Sequence, residues 1–250
     1  MTLIDNPRGN YRFLTGIAPY SSGVIANAGH EIVHVVLHEP LAYRAGFDLV
    51  ADHLKSEGQP RTALCAIELR LPAPVSFAGF AEFNAEYQAL LDDWDLLIGG
   101  INPVARTNVA PEVVRLPAPS LYAFSYTRPA DIGRPTFVVA GAGDIVEQNL
   151  STHAIVREGE TSADAMREKA IHVMSVMSAR LAGLGVDWAG VTAVDIYTAQ
   201  TLDTYIREVV LAPMKQSSVH GVHWHYVRPP IEGLEFEMDV RGVATERHLG

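Results

Sequence analysis

Arg106 is the residue whose type and setting most directly indicate binding chemistry. It lies in residues 102–108, between a Gly99-Gly100 turn and an expected strand. We predict a loop here. A planar guanidinium held in such a loop can bind a carboxylate through two parallel hydrogen bonds, which a lysine cannot do. The alternative is an ordinary surface arginine, as most loop arginines are. The stretch therefore predicts a candidate carboxylate-binding site.

A second candidate for chemistry is the sequence His223-Trp224-His225. Residues two apart on a strand share a face, so both imidazoles would point the same way. With a carboxylate from Glu237 they could bind a metal ion and support metal-assisted hydrolysis. The same pattern fits a packed strand with Trp224 and Tyr226 on the opposite face. The metal site stays an alternative, and we expect no metal and no cofactor.

Other familiar catalytic patterns are missing from the sequence. The run Gly141-Ala142-Gly143-Asp144 lacks the third glycine and the helix start of a dinucleotide-binding loop. No Gly-x-Ser-x-Gly nucleophile motif occurs. Cys65 lies in an apolar run and is expected in the core, not as a nucleophile.

The composition predicts a well-packed protein with a small anionic partner. Of the 250 residues, 48% are hydrophobic and 19% are charged, which supports real cores and argues against disorder. The net charge of −10 argues against nucleic acid or an anionic membrane as a partner. We find no signal peptide pattern and no apolar segment of membrane-spanning length. We therefore expect a cytoplasmic protein.

The pattern of apolar residues predicts strands and helices in alternation. In the first half we predict a turn-rich segment at 11–22, strands at 31–38, 63–71 and 120–126, and helices at 45–57 and 77–98. In the second half we predict strands at 135–143, 191–197, 219–226 and 234–240, and helices at 165–184 and 202–211.

The two halves have the same order of elements, which predicts an internal duplication. We expect two α+β domains, residues 1–126 and 127–250, each a mixed sheet with helices packed on one face. Pro129, Gly133 and Pro135 mark the connection between them. The other face of each sheet needs a cover, and oligomerisation would supply it.

Six segments, three in each half, carry recognisable motifs. They are residues 18–24 (Pro-Tyr-Ser motif), 83–87, 104–107 (Pro-Ala-Arg-Ser/Thr segment), 137–141, 188–198 and 236–240. Together they resemble the motifs of the RidA/YjgF superfamily of imine and enamine deaminases. The resemblance covers most of the chain as two tandem copies of a unit usually found alone in trimers. The resemblance implies tandem RidA-like (chorismate-mutase-like) domains, a homo-oligomer, a trimer being favoured, and a site between domains or subunits.

Each half departs from the family pattern in a different way. The first half has Ala123 where the family's glutamate falls, whereas the second half keeps Glu237. The second half has His223 where the arginine falls, so that only the first half keeps Arg106. Compared with the family spacing, two extra residues also lie between Arg106 and Leu116. We predict one composite site from Arg106 and Glu237, and the alternative is two decayed sites.

The resemblance implies deamination, with Arg106 binding the substrate carboxylate and Glu237 transferring protons. Tyr20, Thr107 and Asn108 could orient the water or the amino group. Gly141 belongs to the matching strand-Gly segment and is also predicted at the site.

We favour an activity similar to that of the larger deaminases of 2-aminomuconate and its chlorinated relative. A dicarboxylate substrate would need a second cationic group, for which His223, His225 and Arg128 are the candidates. The alternatives are a general imine deaminase and a non-catalytic protein that binds small acids.

Overall fold

The computed structural model describes residues 1–16, 20–148 and 150–250. Ala18 and Pro19 of the Pro-Tyr-Ser motif lie outside the described residues. The fold is α+β with two mixed sheets, as predicted. No helix in the described ranges is long and apolar enough to cross a lipid bilayer.

The described residues form thirteen strands and four α-helices. The strands are β1 (Leu3–Asn6), β2 (Tyr11–Leu14), β3 (Gly23–Ala26), β4 (His30–Ala42), β5 (Leu64–Arg70), β6 (Ala105–Pro111), β7 (Ser120–Pro129), β8 (Phe137–Gly143), β9 (Ala193–Tyr197), β10 (His223–His225), β11 (Val227–Arg228), β12 (Glu237–Gly242) and β13 (Thr245–Leu249). The helices are α1 (Tyr43–Ser56), α2 (Phe77–Asp93), α3 (Ala163–Leu184) and α4 (Ala212–Met214), and a π-helical turn (Ile206–Leu211) precedes α4.

The two sheets repeat one strand order. The first sheet runs β11-β6-β5-β7-β4-β13 and the second runs β1-β2-β3-β8-β12-β9-β10. The run β6-β5-β7-β4 corresponds to β10-β9-β12-β8, with a parallel pair at the β6 or β10 end and antiparallel pairs elsewhere. This repetition supports the predicted duplication. The N-terminal strands β1 to β3 extend the second sheet, and the C-terminal strand β13 extends the first.

The two sheets pack face to face, and each carries its helices on the outer side. One apolar cluster joins α1 and α2 to the first sheet, and another joins α3 to the second. A third cluster lies between the sheets, with Tyr11 and Phe13 from β2, Cys65 from β5 and Ala140 from β8. The cover that we expected from oligomerisation therefore comes from the other sheet of the same chain.

Several predicted elements need correction. Arg106 lies in strand β6, not in a loop, because the turn residues end at Pro103 and the backbone from Ala105 pairs in parallel with β5. The segment predicted as turn-rich contains β2, which pairs with its neighbours on both sides. Helix α2 ends at Asp93, and the predicted helix at 202–211 is largely the π-helical turn. Strand β13 had no prediction.

Candidate functional site

A cavity of about 470 Å³ opens where β6 of the first sheet meets β8 and β12 of the second. Helices α2 and α3 and the segments that follow β2 and β8 complete its wall. A hydrogen bond from Gly141 N to Thr107 Oγ1, 3.0 Å long, joins the sheets beside it. Its polar and charged lining residues are Thr15, Tyr20, Ser22, Arg106, Asn108, Gln148, Arg180 and Glu237.

Arg106 reaches the cavity wall from β6 and is 2% exposed. Its Nη2 donates to Asn84 Oδ1 of α2 at 2.5 Å, while no described residue accepts a hydrogen bond from its Nη1. The rings of Tyr87 and Tyr20 lie 4.5 and 5.0 Å from the guanidinium carbon. Burial lowers the pKa of Arg106, yet an arginine stays charged at neutral pH. The residue is a fixed, buried cation with donor capacity to spare.

Asn108 lies two residues further along β6 and also lines the cavity, because alternate residues of a strand share a face. It is buried, and neither atom of its side-chain amide has a hydrogen-bond partner among the described residues. Buried polar groups are normally hydrogen-bonded. The Asn108 amide is therefore available to a bound molecule.

Glu237 begins β12 and places a buried carboxyl in the same cavity. Burial raises its pKa to about 8, although Arg180 and Arg106 oppose this and Asp144 adds to it. The causes of this shift are burial and nearby charges, with no hydrogen bond among the main ones. Gly141 makes room for it, since a Cβ there would collide with Glu237 Oε1. At neutral pH Glu237 is a protonated acid.

A buried ion pair lies behind Glu237. Lys169 Nζ donates to Asp144 Oδ2 at 2.7 Å, and both side chains are fully buried. The other carboxylate oxygen of Asp144 accepts the backbone N–H groups of Glu235 and Phe236 at 3.1 and 3.3 Å. The pair thus fixes the chain that leads into β12 and supplies a negative charge near Glu237.

Arg180 is a second buried cation in the cavity, and sequence reasoning missed it. It is 4% exposed and extends from α3. Its Nη1 donates to the carbonyl oxygens of Ala140 at 2.8 Å and Gly141 at 3.1 Å, and its Nη2 donates to Gln148 Oε1 at 3.4 Å. Burial lowers its pKa. A signal was present in the sequence, because Arg180 follows Met177 by three residues on the inward stripe of α3.

The predicted site residues divide into two groups. Tyr20, Arg106, Asn108, Gly141 and Glu237 all line the cavity. Thr107 points to the other face of β6, where it donates to Asp239 Oδ2 at 2.6 Å and accepts from Gly141 N.

The histidines and Arg128 lie outside the cavity. His223 Nδ1 and His225 Nε2 both lie 3.0 Å from Asp195 Oδ1, and Arg241 pairs with the second oxygen of that carboxylate. Arg128 pairs with Glu31 at 2.8 Å. Of these cations, Arg180 lines the cavity together with Arg106, whereas His223, His225 and Arg128 do not.

The proposed metal ligands do not come together. His223 and His225 share Asp195, whereas Glu237 faces the cavity. Within the described ranges, no group of three or more His, Cys, Asp or Glu side chains could hold a metal ion.

Comparisons with known proteins identify the family. A 2-amino-5-chloromuconate deaminase from Comamonas testosteroni is 38% identical over 244 residues, which are 96% of each chain. Among solved structures, a chorismatase has a TM-score of 0.50 and 17% identity over 89% of this chain and 77% of its own, which indicates a shared fold only. The family model described as 2-aminomuconate deaminase CnbZ matches residues 3–247. The chain therefore belongs to the 2-aminomuconate deaminase CnbZ family.

Proposed function

We propose that this protein is a deaminase that hydrolyses the enamine or imine of 2-aminomuconate-type dicarboxylates and releases ammonia. The observation that carries the proposal is a buried Glu237 carboxyl, with a pKa of about 8, in one cavity with the unpaired Arg106 cation. Family membership supports the same reaction. The expected partner is a small dicarboxylate, and the reaction requires no cofactor.

The reaction needs four proton transfers and one water molecule. The enamine first accepts a proton at the carbon next to C2, which gives the protonated imine. Water then adds to the C=N carbon and loses a proton. The carbinolamine accepts a proton on its nitrogen, expels ammonia and loses the hydroxyl proton to leave the 2-oxo acid. Substrate and water are consumed, and oxo acid and ammonia are formed. Orientation and a general acid–base group are sufficient for these steps.

Glu237 is suited to the acid and base roles. Because its pKa lies near 8, it is protonated at neutral pH and can give its proton to the enamine carbon. The carboxylate that remains can accept a proton from the attacking water and return it to the leaving amine. It regains a proton from the carbinolamine hydroxyl as the C=O bond forms, which restores the acid. A pKa close to the working pH lets one group do both.

Arg106 and the residues around it are suited to orientation. A carboxylate next to the amino-bearing carbon would pair with the guanidinium, which Asn84 and the surrounding rings hold in place. Asn108 has a free donor and a free acceptor for the amino group or the water. Tyr20 borders the same space.

The relationship to the RidA/YjgF superfamily is part of this proposal. The repeated strand order supports two tandem RidA-like units. The bounds 1–126 and 127–250 stay predictions, since β1 to β3 extend the second sheet and β11 and β13 extend the first. Association of whole chains, with a trimer favoured, stays a prediction that light scattering of the purified protein would test.

The test of function is ammonia release from freshly generated 2-aminomuconate. We expect turnover by the wild type and its loss in Arg106→Ala and Glu237→Gln. Glu232→Gln is the matched control, since Glu232 is exposed and outside the cavity.

Three other outcomes would change the proposal. Turnover that survives Glu237→Gln would move the acid–base role to another group. Tight dicarboxylate binding without turnover would favour a non-catalytic binding protein. Equal turnover of small monocarboxylic enamines would favour a general imine deaminase.

A further inference from the structure

Two buried guanidinium groups, those of Arg106 and Arg180, line the cavity, and one carboxylate would neutralise only one of them. Lys169, Arg70 and Arg241 are also buried cations, and each lies within 4.0 Å of a carboxylate oxygen. Among the described residues, no carboxylate pairs in this way with Arg106 or Arg180. Glu237 does not balance them at neutral pH because it is protonated.

Buried charges without partners are costly, and proteins normally pair them. Two unpaired guanidinium groups on one cavity wall therefore indicate a ligand with two negative charges. We propose that Arg180 binds the second, distal carboxylate of the substrate and so sets the preference for dicarboxylates over monocarboxylates. This inference rests on the proposed function for the identity of the substrate, but binding alone can test it.

The attachment of Arg180 fits an anchoring role. Its Nη1 is used on the carbonyl oxygens of Ala140 and Gly141, which fix the plane of the guanidinium against β8. Its Nη2 has one long bond, to Gln148 at 3.4 Å. No described residue accepts a hydrogen bond from its Nε. The Nε and Nη2 edge thus retains donors for a carboxylate.

The two arginines are held by different elements, so that each can bind one end of a dianion. Arg106 comes from β6 of the first sheet, and Arg180 comes from α3 on the second. Glu237 belongs to the second sheet and feels both cations, Arg180 more strongly than Arg106. A linear dianion that spans the two guanidinium groups would hold its reactive carbon in the cavity with Glu237.

Two stable acids of equal chain length separate charge from shape. Trans,trans-muconate and sorbate are both six-carbon dienes, and they differ in one terminal group, a carboxylate or a methyl. We expect the wild type to bind muconate about 100-fold more tightly than sorbate in calorimetric titrations, because sorbate leaves Arg180 unpaired. Arg180→Gln should lose this preference by weakening muconate binding alone. Arg106→Gln should weaken both acids.

Arg180→Lys and Arg167→Gln complete the experiment. Lysine retains the charge but not the planar fork, so that an intermediate preference is expected. Arg167 lies on the same helix with a half-exposed side chain, and its replacement should leave both affinities unchanged. If Arg180→Gln does not fold, Arg180→Lys carries the test. The proposal would be overturned if the wild type did not prefer muconate to sorbate. It would also be overturned if folded Arg180→Gln kept this preference, or if Arg180→Lys showed it undiminished.

The two proposals can fail separately. An Arg180-dependent preference for muconate, with no ammonia from any enamine, would leave the inference standing and remove the deaminase function. Ammonia release with a preference that does not depend on Arg180 would do the reverse.

Discussion

Glu237 should destabilise the folded protein at alkaline pH, and Glu237→Gln should remove that effect. Burial raises the pKa of this carboxyl from 4.5 to about 8. In the unfolded chain the group ionises near its ordinary pKa. Between these two values the unfolded state therefore binds fewer protons than the folded state, so that the free energy of unfolding falls as pH rises.

The size of the effect follows from the shift. A rise of roughly 3.5 pKa units corresponds to about 5 kcal/mol, at 1.36 kcal/mol per unit. The cost is absent below pH 4, grows through the neutral range, and is complete above the folded-state pKa of about 8. Glutamine has the same shape and cannot ionise, so that its own burial cost does not change with pH.

The assay is urea unfolding of the wild type and Glu237→Gln at matched pH values from 4.5 to 9. We expect the variant to gain stability relative to the wild type by several kcal/mol across this range. Titrations that the two proteins share cancel in the difference. A difference that stays constant from pH 4.5 to pH 9 would refute the reasoning, because it would mean that the Glu237 pKa is not raised by folding.

Four further substitutions test the geometry of the site. Gly141→Ala should lower kcat/KM by at least about tenfold, because its Cβ would collide with the Glu237 carboxyl; wild-type activity would contradict this. Asp144→Asn removes a negative charge that raises the Glu237 pKa, so that the alkaline limb of the kcat profile should move to lower pH, and an unmoved limb would argue against it. His223→Gln and His225→Gln should keep kcat/KM within about threefold, because neither histidine lines the cavity. A tenfold loss would return the histidine strand to the site.

Much of the fold was predictable because its signals are local. The helical stripe and the glycine after it predicted the end of α3, where Gly185 has a φ of 78°. Strand β13 is different, because its five residues alternate in exposure and pair with β4 about two hundred residues earlier. No local pattern predicts such a partner. The same holds for β1 to β3, whose sheet is fixed by a pairing with β8.

The site was predictable to the extent that its residues have distinctive types. Arg106 and Glu237 came from motifs, and the structure brings both to one cavity. Arg180 was missed because a long side chain on an apolar stripe is usually counted as a helix edge residue that extends to solvent. Its role depends on the carbonyl oxygens of β8, to which it donates, and that contact depends on packing between elements.

Strands β6 and β10, which hold the same place in the two sheets, differ in how their polar side chains are satisfied. His223 and His225 pair in register with Asp195 and Tyr197 of β9 and share the Asp195 carboxylate, which Arg241 also contacts. On β6, by contrast, Arg106 Nη1 and the Asn108 amide have no hydrogen-bond partner among the described residues. Buried polar groups are normally paired, so that β6 carries binding capacity that β10 lacks. The predicted duplication would account for this difference, because a duplicated unit needs only one working site and its second copy is free to exchange binding groups for ion pairs.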